Sequence, residues 1–127
     1  DEEEQVPNMK VINPDHQGVG GIFASLEDAH FTNHSFSIQE STTFYIFSDG
    51  YQDQFGGPEN KKFMRQRLRQ WLLDNHHLPM TEQKIGLSNT IEQWMNFLPS
   101  SEEGEEAIRQ MDDMLVIGVR LESEKTD

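Results

Sequence analysis

Cysteine is absent from the chain. Its absence excludes disulfide bonds, thiolate metal sites and a cysteine nucleophile, and is compatible with a reducing compartment. Positive charge is scarce: ten Lys and Arg stand against 23 Asp and Glu, for a net charge of −13. A field of that sign argues against nucleic acid or an anionic membrane surface as the main partner and leaves cations and basic protein surfaces. Long apolar runs are missing as well. None approaches the roughly 18 consecutive apolar residues of a membrane span, and the acidic start is unlike a signal peptide. The chain therefore reads as soluble and cytoplasmic, with no membrane contact of its own, any anchor belonging to a separate segment of a parent protein. Apolar residues are modest in number, 34% of the total with a mean hydropathy of −0.75. Eight Phe, two Tyr and two Trp still supply bulky core material, and 127 residues suffice for one domain.

What is present is organised around residues 43–57, Thr-Phe-Tyr-Ile-Phe-Ser-Asp-Gly-Tyr-Gln-Asp-Gln-Phe-Gly-Gly. Phe44, Tyr45, Ile46 and Phe47 suit a strand buried on both faces, and Asp49-Gly50 is a turn signal at its end. A carboxylate at a strand tip serves either a turn, by accepting from nearby backbone N–H groups, or a hard cation that needs oxygen ligands in place. Taken alone, the turn is the commoner role. Residues 110–121, Gln-Met-Asp-Asp-Met-Leu-Val-Ile-Gly-Val-Arg-Leu, join carboxylates to a strand-like run in the opposite order, with Asp112 and Asp113 before the strand. In an antiparallel pair the end of one strand lies beside the start of its neighbour, so Asp49 and Asp112 can meet at one sheet edge. Two acids brought together repel unless one is protonated or a cation sits between them, which points to a divalent metal.

The remaining segments read in chain order. Residues 1–8 form a like-charged run expected to fray, and 9–13 form a short strand ended by Pro14 and Asp15. Gly18-Val19-Gly20-Gly21 lacks the Lys-Ser/Thr of a phosphate-binding loop, so turn chemistry explains it better. Residues 31–38 alternate, with Phe36 and Ile38 on one face, and predict a β-hairpin with the strand at 42–48. After Gly57-Pro58 the period lengthens. Met64, Leu68, Trp71 and Leu72 form one stripe of a helix over about 59–75, and Leu87, Ile91, Trp94, Met95 and Leu98 form a second, with Thr81 as N-cap and Pro99 as stop. The short link between them makes the helices antiparallel neighbours over one face of the sheet, with Trp71 and Trp94 as core residues. His76-His77 beside Asp74 reads as a helix end rather than a metal site. Residues 100–106 form an acidic, solvated loop, and 122–127 form a polar tail.

Tyr45-Ile46-Phe47-Ser48-Asp49-Gly50, Asp53-Gln54-Phe55-Gly56-Gly57, Lys61-Lys62-Phe63 and Gln110-Met111-Asp112-Asp113-Met114-Leu115-Val116-Ile117-Gly118, in that order, resemble the C-terminal half of a PP2C-type metal-dependent serine/threonine phosphatase of the bacterial SpoIIE-like branch. The resemblance covers residues 11–121, so 9–121 are expected to be a partial phosphatase domain. It implies an α+β fold: a mainly antiparallel sheet, half of an α-β-β-α sandwich, covered by two antiparallel helices. It also implies hydrolysis of phosphoserine or phosphothreonine in bacterial signalling by a metal-activated water, with two Mg²⁺ or Mn²⁺ ions in the complete domain. No side chain is then catalytic beyond the metal ligands. Residue by residue, Asp49 and Asp112 match metal-binding aspartates, Asp53 matches a weaker third-metal position, and Asp113 matches a hydrogen-bonding position beside the ligands. The implied substrate is a phosphorylated regulatory protein such as an anti-sigma-factor antagonist.

The first half of the family's domain supplies a further metal-binding Asp-Gly pair that has no counterpart here; Asp15-His16 and Asp28-Ala29 stand in the wrong context. The alternative reading is thus a catalytically incomplete interaction or regulatory module. A Ca²⁺-binding module is weaker, because no dense Asp/Asn loop is present. Half a sandwich also leaves sheet edges open, which favours self-association.

Overall fold

A computed structural model of the chain describes residues 9–15, 31–38, 40–97 and 109–122. The expectations for the acidic start, the Gly18–Gly21 turn, Asp28, Leu98, Pro99, the 100–106 loop and most of the tail lie outside these residues. The chain divides into two units, Asp1–Gln39 and Glu40–Asp127.

In the first unit Met9 makes an isolated bridge, while 10–15 and 31–38 carry no strand. The expected strand at 9–13 and the 31–48 hairpin are therefore not formed. The two stretches make side-chain contacts instead: the backbone N–H and hydroxyl of Thr32 donate to the Asp15 carboxylate at 2.5 and 3.1 Å, and the Lys10 ammonium lies 5.2 Å from the Phe36 ring centre.

The second unit contains β1 (Thr42–Phe47), β2 (Phe55–Gly56), β3 (Lys61–Lys62), α1 (Arg65–Asn75), α2 (Met80–Met95) and β4 (Val116–Leu121). This is the α+β class that the sequence predicts, with two helices and with two small antiparallel sheets in place of one. β1 pairs with β4 antiparallel, from Thr42 opposite Leu121 to Phe47 opposite Val116. Opposed residues share a face, so Tyr45 with Gly118 lie on one side and Ile46 with Ile117 on the other. The first side meets α2 and the link before it. The Tyr45 hydroxyl donates to Gln83 Oε1 at 2.6 Å, and the carbonyls of His76 and Leu78 collect hydrogen bonds from Gln83 Nε2 and from the Arg120 guanidinium. On the second side Ile46 is 68% exposed and Ile117 43%. At these positions the expected burial of the strand on both faces is not met.

Among the described residues the buried apolar side chains are Tyr51, Phe63, Leu68, Leu72 and Ile91, with Phe63 edge-on to both Tyr51 and Trp94 at 5.4 Å between ring centres. Leu68 and Leu72 come from the predicted stripe of α1, and Ile91 from that of α2. Both tryptophans are half-buried between the helices. Arg67 lies over the Trp94 ring, and the Trp71 ring packs at Gly86. Contacts advance along α1 as they retreat along α2, so the helices run antiparallel. α1 begins at Arg65 and not near 59. The N–H groups of Phe63 and Met64 are spent on the carbonyls of Gln54 and Gln52, 2.8 Å each, and Asn60 and Met64 have positive φ, which a helix cannot include. Nor does Thr81 cap α2, whose N-cap is Pro79. Proline's fixed φ suits helix entry. No helix among the described residues is long and apolar enough to cross a membrane.

Candidate metal centre

β1 ends at Phe47, and the chain turns through Asp49-Gly50. Asp49 is exposed, and its carbonyl accepts the Asp53 N–H at 3.0 Å, closing a tight turn that carries both carboxylates. The ladder with the segment before β4 continues one step beyond the strands. Ser48 N–H donates to the Leu115 carbonyl at 3.0 Å, and Leu115 N–H donates to Ser48 Oγ at 3.2 Å. Gly50 then passes so close to Asp113 that a Cβ at this position would run into the Asp113 carbonyl. This is the physical reason for glycine after Asp49.

On the other segment, Asp112 and Asp113 are exposed. Asp112 Oδ1 accepts the Asp113 N–H at 2.8 Å, and its carbonyl accepts Gln110 Nε2 at 2.9 Å. The structure thus brings the Asp49 turn and the Asp112-Asp113 segment to the same end of the β1–β4 ladder. It gives Asp53 a different neighbour, Lys62, with Nζ 3.6 Å from the carboxylate. Among the described residues no group of three or more His, Asp or Glu is assembled that could hold a metal ion. His76 and His77, at the end of α1, join no such group.

Asp49 and Asp112 each offer exposed carboxylate oxygens, the donor type that hard divalent ions such as Mg²⁺ take. Two uncharged residues, Ser48 and Gln54, hold these stretches together, and neither stands out in the sequence as the acids do. Gln54 is fully buried and bonds to the backbone of Arg109 and Met111. Nothing in the local sequence separates such a glutamine from a solvated one, since two of its side-chain partners lie more than fifty positions away.

No family model matches the chain, and no curated protein matches it. Among solved structures, it is similar to the SiaA-PP2C domain of Pseudomonas aeruginosa. Identity is 29% with a TM-score of 0.51, over 63% of this chain and 29% of the SiaA-PP2C chain. The likeness supports a PP2C-like fold. The match spans less than a third of the SiaA-PP2C chain's length, so what that whole domain does is not carried over with the fold.

Proposed function

We propose that the chain is the C-terminal portion of a SpoIIE-branch PP2C phosphatase, acting in bacterial cytoplasm on phosphoserine or phosphothreonine of a regulatory protein such as an anti-sigma-factor antagonist. The observation that carries this reading is the β1–β4 ladder, which in a chain similar to SiaA-PP2C brings Asp49 and Asp112-Asp113 to one end of the sheet. In this reading Asp49 and Asp112 hold Mg²⁺ or Mn²⁺, Asp113 orients them by hydrogen bonding, and Asp53 is a weaker ligand. When bound, such ions neutralise phosphoryl charge and make a coordinated water more acidic. The protein's own part is to hold the carboxylates in register through the Ser48–Leu115 bonds before any cation arrives.

A second reading, an interaction module with the same fold and no chemistry, draws on two observations: no three-ligand group among the described residues, and the pairing of Asp53 with Lys62. Mn²⁺ titration of isotopically labelled protein separates the two. The phosphatase reading expects amide broadening centred jointly on Asp49 and Asp112, lost in Asp49→Asn. Sharp amides at both positions, with only diffuse broadening elsewhere, would favour the module.

A further inference from the structure

Gln54 is the least expected residue in the interior: a primary amide with no solvent exposure, in a class seldom fully buried. Each hydrogen bond of its side chain goes to backbone. Nε2 donates to the carbonyls of Phe55 at 3.1 Å and Arg109 at 3.0 Å, while Oε1 accepts the Met111 N–H at 3.2 Å. Its own carbonyl accepts the Phe63 N–H at 2.8 Å and Trp94 Nε1–H at 3.2 Å. Bonding to the carbonyl of one residue and the N–H two places on is what a neighbouring strand does in a sheet. The Gln54 amide therefore stands in for a strand beside 109–111, ahead of the point where β4 begins. The segment bearing Asp112 and Asp113 is consequently tied at both ends, to Gln54 at Met111 and to Ser48 at Leu115.

We propose that Gln54 is a positioning residue for the metal centre, holding the Asp112-Asp113 segment in place against the Asp49 turn. The proposal rests on the phosphatase reading, since it takes Asp49 and Asp112 as ligands of one centre. Gln54 touches no cation itself. It acts by removing, before binding, the backbone freedom that the carboxylates would otherwise lose on binding. Partners that orient metal ligands commonly contribute about 10–100-fold to metal affinity.

The test is Mn²⁺ titration followed by amide broadening in wild type and in Gln54→Met, which keeps similar bulk and removes the amide. The expected result is a midpoint raised about tenfold or more, with broadening kept near Asp49 and weakened near Asp112, in a variant whose amide spectrum is unchanged away from the substitution, its direct partners and 109–115. A merely structural role would leave the midpoint of the folded variant where it was. An unchanged midpoint and pattern would overturn the proposal and leave the phosphatase reading standing. Absence of localised broadening in wild type would remove both. If Gln54→Met does not fold, hydrogen exchange in wild type decides. Binding and clamping are linked reciprocally, so Mg²⁺ must raise protection of the Met111 amide more than that of the α1 amides. Equal changes would overturn the proposal.

Discussion

Burial pushes the phenol of Tyr51 well above the ordinary tyrosine range, and its hydroxyl donates to the Leu87 carbonyl at 2.7 Å. Burial also raises Tyr45, partly offset by its hydrogen bond with Gln83 and by the Arg120 charge. A group whose pKa is higher in the folded state keeps its proton there after the unfolded chain has lost it. The folded state then binds more protons, so stability falls as pH rises. The contribution is intact below about pH 10, the unfolded tyrosine value, and is lost above it. Urea midpoints should therefore be flat from neutrality to pH 9.5 on this account and drop beyond pH 10. Tyr51→Phe should cost about 1 kcal/mol at pH 7 through the lost hydrogen bond and show a shallower alkaline decline. An equally steep decline in the variant would assign the effect to other groups.

At the scale of elements, the crossing of the Asp49-Gly50 turn over Asp113 is the tightest constraint described. Gly50→Ala must push these backbones apart at the end of the ladder, and overpacking of this kind costs about 2 kcal/mol. A lower urea midpoint with an unchanged slope is the expected readout, and a midpoint equal to wild type would show that the ladder end yields freely. Elements with a strong local period were legible in the sequence. The stripe through Leu68 and Leu72 locates α1, Ile91 locates α2, and the runs at 42–47 and 116–121 form strands. What was not legible depends on segments far apart or on very short pairings. Residues 31–38 alternate like a strand yet form none, because alternation shows that a segment could pair without showing that it does. β2 and β3, two residues each, are too short to carry a period, and they displaced the start of α1. Of the candidate site, the acids were legible by type and their shared end by strand order. Ser48 and Gln54 were not, since their roles exist only once the two segments meet.

For the whole molecule, two features oppose each other. The outer face of β1–β4 presents Ile46, Ile117, Val119 and Leu121 to solvent, an apolar surface of the kind that associates. The net charge of −13 keeps copies apart. Salt shortens the reach of that repulsion, to about 8 Å at physiological ionic strength, and leaves the apolar attraction in place. We predict a mass by light scattering that rises with salt at fixed protein concentration, and less so in Ile46→Lys. A monomeric mass at every salt concentration would count against a second copy as the occupant of this face.

The ladder that joins the two acidic stretches also sets a timetable. Ser48 and Leu115 are 67 positions apart, and contacts of long sequence separation form late because a large loop must close first. While the chain is being synthesised, the Asp49 turn emerges long before its counterpart. Until Leu115 is free of the ribosome, the nascent chain carries half of an acidic pair with nothing to register it against. The two stretches become neighbours only after the residues between them have emerged, so the carboxylate pair forms later than the Asp49 turn that supplies its first half.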